Sequence, residues 1–194
     1  MVQFIFSQIK TPTLLLDEKK AKRNIRRMSQ KAKMYNVSFR PHFKTHQSAA
    51  VGEWFREEGV QCITVSSIKM ANYFADHGWN DILIAFSLNW REIKEINHLA
   101  KRVQLGILVE SPETVVFAAR NLDSPVNVWV KIDTGLHRTG ISVQNMDIVF
   151  ALMQKIQGCQ NLKLTGVLTH AGHTYHANSP AEIIILYLPL ATKK

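Results

Sequence analysis

Lys44 is the residue of this sequence best placed to do chemistry. It stands in the run Arg40-Pro41-His42-Phe43-Lys44-Thr45-His46, between apolar Phe43 and two imidazoles, where a β-rich stretch ends. Desolvation and neighbouring cations lower an amine's pKa and make it a nucleophile towards an aldehyde. A lysine reaching into solvent from a loop fits the same pattern equally well. His42 and His46 make a poor metal pair, because on a strand they share a face but lie apart, and no carboxylate accompanies them. Polar residues gather after other β-rich runs: Ser66 and Ser67; Asp133, Thr134 and Arg138; His170, His173 and Tyr175. Arg138 offers a planar, permanently charged guanidinium to an oxyanion. A salt bridge to Asp133 is its plain structural alternative, and both can hold. The spacing His170, His173, His176 hints at a metal, but a strand-to-loop segment gives the three no reason to converge. Ser67 reads first as a helix cap.

These groups need a scaffold that brings strand ends together. Near-continuous apolar or β-rich runs predict strands over 37–43, 62–65, 81–86, 104–109, 126–132 and 164–169. Between them, helical patterns cover 48–58, 67–77, 90–101, 111–121 and 143–157, the last with Met146, Val149, Phe150, Met153 and Ile156 on one face. Ser111-Pro112-Glu113 is a strong helix start, with a capping hydroxyl, a proline and an acid in the first turn. Strict β/α alternation means a parallel α/β architecture. Polar clusters at strand ends favour a barrel over an open doubly wound sheet. No G-x-G-x-x-G follows a strand and no G-x-x-x-x-G-K-[ST] occurs, so dinucleotide and P-loop chemistry lack support.

The formal charge of +9 raises nucleic acid as a partner. Much of it sits between Lys19 and Lys33, in eight basic residues with no acid among them. Ala21, Ile25, Met28, Ala32 and Tyr35 recur there at helical spacing, which predicts one amphipathic helix with a solvated basic face. No aromatic residues interleave with the bases to stack nucleotides, so no nucleic-acid partner is expected. No apolar run reaches the roughly 20 residues that span a bilayer, so no membrane partner is expected. The start lacks a secretory pattern, and Cys62 and Cys159 read as reduced thiols of a cytoplasmic protein.

The motifs occur in a telling order. Thr11-Pro12, Leu16-Asp17, Asn24-Ile25 and Met28 lead into Arg40-Pro41-His42-Phe43-Lys44-Thr45-His46. Then come Asp81-Ile82-Leu83-Ile84-Ala85, the segment from Lys131 to Gly140 with Asp133-Thr134-Gly135 and Arg138, and Thr169-His170-Ala171-Gly172-His173-Thr174-Tyr175. From about Thr11 to Pro180 this resembles the D-threonine aldolase and D-serine dehydratase family, built on the alanine-racemase-type barrel. The resemblance implies a parallel (β/α)8 TIM-type barrel with pyridoxal 5'-phosphate as cofactor. It makes Lys44 the lysine that carries the cofactor and shuttles a proton, and places Arg138 near the phenolic oxygen. By the same resemblance His170 stacks on the pyridine, and His42, Tyr175 and Ser67 stand near the cofactor. The implied reaction is a lyase step on a small D-amino acid, either retro-aldol cleavage or β-elimination with deamination. An amino-acid racemase and a non-catalytic cofactor carrier are the alternatives. Met70 departs from the acid usual in the family.

Full-length relatives hold a divalent metal on a β-rich C-terminal domain and are expected to pair as homodimers. No such ligands are expected in these 194 residues, read as one barrel domain shortened after about six strands. Ser179-Pro180-Ala181-Glu182 reads as one more helix start. The all-round apolar run Ile183 to Leu190, broken by Pro189, reads as a shortened or frameshifted end.

Overall fold

The computed structural model describes residues 6–184. It divides into two units, one of residues up to 39 with 50–60, the other of residues 40–49 with 61 onward. The first holds α1 (Glu18–Met34) and all but the first residue of α2 (Ala49–Glu57). Asp17 caps α1 by accepting the Lys20 N–H at 2.9 Å. Arg26 pairs with Glu58 at 2.8 Å, and Lys22 with Glu18 at 3.0 Å. The α1 face differs from the expected stripe. Ile25 and Ser29 are its buried residues, whereas Met28 is 46% exposed and Tyr35 is exposed too. The Ser29 hydroxyl donates to the Glu58 carbonyl at 2.9 Å, which lets a polar residue take the buried place.

The second unit carries a six-stranded sheet, every pairing parallel: β1 (Ile63–Val65), β2 (Asp81–Ser87), β3 (Gln104–Val109), β4 (Val126–Asp133), β5 (Ile141–Ser142) and β6 (Leu162–Thr169). The order is β1-β2-β3-β4-β5, with β6 also paired to β4. Helices α3 (Ile68–Asp76), α4 (Ile93–Ala100), α5 (Pro112–Asn121) and α6 (Met146–Gln157) connect the strands. Ser67 and Ser111 cap α3 and α5, each accepting the N–H three residues on. Ile63, Val65, Ile82, Leu105, Ile107, Val128 and Val130 are buried, with Leu99, Val115, Val149 and Ile156 from the helices. Phe43, Phe74 and Trp79 pack edge to face, Phe43 lying 4.9 and 5.1 Å from the other two ring centroids.

The parallel α/β class is as expected, but the set of strands is not. No strand forms over 37–43. Pro41 has no N–H to donate, so contact with β1 is reduced to one bridge, His42 to Thr64, and a Thr64 N–H bond to the Pro41 carbonyl at 2.8 Å. A 3₁₀ turn, Phe43–Thr45, follows at once. The short β5 was not among the expected strands, and α6 opens at Met146 rather than at 143. A helix does open after Ser179: Glu182 N–H donates to the Ser179 hydroxyl, and the Glu182 carboxylate accepts the Asn178 N–H. Most of the apolar run that follows, residues 185–190, lies outside the described residues. Among the described residues no helix is long and apolar enough to cross a membrane.

Candidate functional site

In a parallel sheet all strands end on the same side, so the side chains just past β1, β2, β3, β4 and β6 meet at one level. A cavity of about 660 Å³ lies there, within the size range of small-molecule sites. Arg40, Lys44, Lys131 and Arg138 line it together with His42 and His170, and no carboxylate does. Thr64, Ser66, Ser87, Thr139 and Thr169 add hydroxyls.

Each charged group is held by local structure. Fully buried Phe43 anchors the 3₁₀ turn that presents Lys44. The Lys44 N–H donates to His42 Nδ1 at 3.3 Å, and the Lys44 carbonyl accepts from Gln47 at 3.2 Å. Burial, with Lys44 and His170 adding, pushes the His42 imidazole down to about 4, so the ring is neutral near pH 7. Burial and then Arg138, Lys44 and Lys131 lower His170 as well. Arg40 is fixed by the Asp81 carboxylate at 2.8 Å and the Ile63 carbonyl at 3.1 Å.

Arg138 sits on the turn between β4 and β5. Asp133 Oδ1 accepts the N–H groups of Gly135, Leu136 and His137 at 3.0, 3.0 and 3.1 Å, and Oδ2 meets His137 Nδ1 at 3.2 Å. The alternative for Arg138, a salt bridge to Asp133, does not form among the described residues; the carboxylate is occupied by the turn's own backbone. Gly140, at φ 107°, closes the turn where a Cβ would come within 2.8 Å of the Ile132 carbonyl carbon and 3.0 Å of the Lys131 side chain.

The structure thus gathers Lys44, His42, Arg138 and His170 at one cavity. Tyr175 is 77% exposed, does not line the cavity and meets the His170 ring edge-on at 5.8 Å. Ser67 does not line this cavity; its hydroxyl caps α3, and it borders a separate hollow of about 310 Å³. The neighbouring Ser66 lines both. Ser87 was missed as a site residue, and Lys131 was read only as the start of the segment running to Gly140. The signal for Lys131 was a single charge inside an apolar strand, and for Ser87 a serine one position past a strand end. Among the described residues, no three His, Cys, Asp or Glu side chains come together as a metal site, His170, His173 and His176 included.

The profile of the family "Alanine racemase, N-terminal domain" matches residues 16–183. The chain is 32% identical over 177 residues to the D-threo-3-hydroxyaspartate dehydratase of Delftia sp. (strain HT23), covering 89% of this chain and 46% of that one. The solved structure of that enzyme superposes with a TM-score of 0.85 over 92% of this chain and 48% of its own. Identity to the D-serine dehydratase of Dictyostelium discoideum is 26%, covering 91% and 48% of the two chains. For the 3-hydroxy-D-aspartate aldolase of Paracoccus denitrificans (strain Pd 1222) it is 29%, covering 89% and 46%. The chain spans about half the length of the curated relatives it matches. On a match covering most of its length, with parallel strands gathering basic side chains at one end, this chain belongs to the alanine racemase N-terminal domain family of pyridoxal-phosphate enzymes.

Proposed function

We propose that this chain forms the cofactor-binding part of a pyridoxal-phosphate-dependent lyase acting on D-amino acids with a β-hydroxyl group. One observation carries the reading: the Lys44 amine shares a cavity with Arg138 and His170, lined by four lysine and arginine side chains, two imidazoles and no acid. That donor set fits a ligand with an aldehyde, a phosphate and a phenolic oxygen. When bound, pyridoxal phosphate would supply an electron sink for the carbanion left when a bond to the substrate Cα breaks.

The chain's own residues supply the rest. Lys44 would hold the cofactor's aldehyde carbon through its amine and move a proton at the substrate Cα. Arg138, braced by the Asp133 turn, would hold the phenolic oxygen with a charge no proton transfer can remove. The half-buried His170 ring offers a flat face for the pyridine, and its lowered pKa keeps that face uncharged. His42 supports the backbone of the Lys44 turn. The excess of cations beyond those the cofactor needs suits the substrate carboxylate, and a second carboxylate in a 3-hydroxyaspartate. The named substrates of the three relatives, serine and 3-hydroxyaspartates, share the β-hydroxyl.

Borohydride reduction in the presence of pyridoxal phosphate, followed by peptide mapping, tests the reading. Label is expected on Lys44, and Lys44→Ala should remove it. D-serine or D-threo-3-hydroxyaspartate should perturb the absorbance of the bound cofactor where the L-enantiomers do not. Label confined to another lysine, or no cofactor uptake at all, overturns the proposal.

A further inference from the structure

Beneath the cavity lies an acid that the function above does not use. Glu110 follows β3 directly. Val109 pairs with Val130 across the β3–β4 ladder, so Glu110 and Lys131 come next at the same level. In a parallel pair, partners point to the same face of the sheet. That face is the cavity side, because Leu108, two residues before Glu110, lines the cavity with Lys131. The Ser87 hydroxyl, itself at the cavity wall, donates to Glu110 Oε1 at 2.6 Å. Glu110 Oε2 is buried and makes no hydrogen bond among the described residues.

Lys131 is only 5% exposed. Its stem is wedged by the turn at Gly140, which approaches so closely that a Cβ there would lie 3.0 Å from Lys131 Cγ. Burial and then the Arg138 charge both disfavour the ammonium and hold Lys131 below the ordinary lysine value. Glu110, followed by Asp133, opposes this. Among the described residues, His170 in turn feels the Lys131 charge. No direct ion pair joins Glu110 to Lys131 among the described residues, so the coupling acts through space in a partly desolvated site.

We propose that Glu110 is a positioning residue acting through Lys131: its carboxylate, anchored by Ser87, keeps Lys131 a cation at the cavity wall beside Arg138. The arrangement supplies a positive charge that cannot swing away, since the Lys131 stem is clamped and its counter-charge lies outside the cavity lining. Its use in binding the cofactor or substrate anion rests on the function proposed above; the Glu110–Lys131 coupling does not.

The test reads Lys131 itself. The Lys131 Nζ signal is titrated by NMR in the full chain without cofactor, labelled with ¹⁵N-lysine and assigned by its loss in Lys131→Met. Glu110→Gln should lower the titration midpoint by at least about one pH unit. Ser87→Ala, which keeps the acid but frees it, should lower it less, and Glu110→Asp should fall between parent and Glu110→Gln. If Glu110→Gln does not fold, Ser87→Ala and Glu110→Asp carry the comparison. A midpoint unchanged in Glu110→Gln, or in both other variants, overturns the proposal. Because the titration needs no cofactor, failure to label Lys44 would sink the proposed lyase and leave this inference standing. An unchanged Lys131 midpoint with Lys44 labelled would do the reverse.

Discussion

Asp133→Ala should loosen the turn that carries Arg138 before it damages anything else. One carboxylate oxygen accepts three backbone N–H groups, at 3.0, 3.0 and 3.1 Å, in a segment where Gly135 and His137 both have positive φ. A bond to a charged acceptor is worth about 1.5–3 kcal/mol when buried. Gly135 and His137 are exposed, so water recovers much of the loss. A total near 2 kcal/mol is then expected, or a fall of about 4–8 °C in Tm for a chain of this size. Asparagine keeps an acceptor oxygen without the charge and should lose about half as much. Because Arg138 rides on the turn, pyridoxal phosphate affinity should fall about tenfold, the equivalent of 1.4 kcal/mol.

The same carboxylate gives the effect a pH signature. Burial works against its ionisation, but the N–H groups of Gly135, His137 and Leu136, with the His137 ring, outweigh it and hold Asp133 below the ordinary carboxylate value. A group whose pKa is lowered by folding stabilises the fold above its unfolded value and loses that contribution as the pH falls through the folded one. The gap between parent and Asp133→Ala should therefore be full at pH 7 and close in acid. Thermal unfolding by circular dichroism and titration with pyridoxal phosphate both read it. Parent-like Tm and affinity in Asp133→Ala would show that the carboxylate does not hold the turn.

Two further outcomes follow from neighbouring geometry. Gly140→Ala should be worse than Gly135→Ala: both carry positive-φ strain of about 1–2 kcal/mol, but only at Gly140 does the new Cβ meet backbone at 2.8 Å, against 3.8 Å for the nearest atom at Gly135. Equal losses in Tm would refute the close approach. His42 has an ordinary value of 6.5 and a folded one of about 4, so between these the unfolded chain binds the extra proton and stability falls as the pH drops through that window. His42→Asn should flatten the acid slope of Tm between those limits, leaving the smaller share of His46 and His170, and an unchanged slope would contradict the desolvation of His42.

What the sequence disclosed depended on how directly each position reads out its surroundings. The strand over 104–109 coincides with β3 residue for residue, because five apolar positions after Gln104 must be buried on both faces. Ser111 and Pro112 fixed the start of α5 for an equally local reason. The first strand failed because a β-rich composition cannot override Pro41, whose missing N–H allows only a bridge. The buried face of α1 failed because Ser29 counts as polar until its hydroxyl is seen bonded to the Glu58 carbonyl. Ser67 was legible as a cap and not as a site residue, since only the chain path separates it from Ser66.

Convergence of the charged residues is a different matter, because no local rule places Lys44, Lys131, Arg138 and His170 together. Lys131 comes from within β4 and the other three from separate connections spread over most of the chain, and the parallel ladder is what levels them. Its register sets Val65 against Ile84, Ser87 against Leu108, Val109 against Val130, and Ile132 against Thr169, so each strand delivers its next polar residue to the same rim. Gathering Arg40, Lys44, Lys131 and Arg138 at one rim costs mutual repulsion, which adds to burial in lowering His170 and Lys131. The acids that relieve it lie outside the cavity lining: Asp81 on Arg40, Asp133 in the turn, Glu110 next to Lys131. A cavity wall left positive, with its counter-charges held outside that wall, is an arrangement for a ligand that brings its own negative charge.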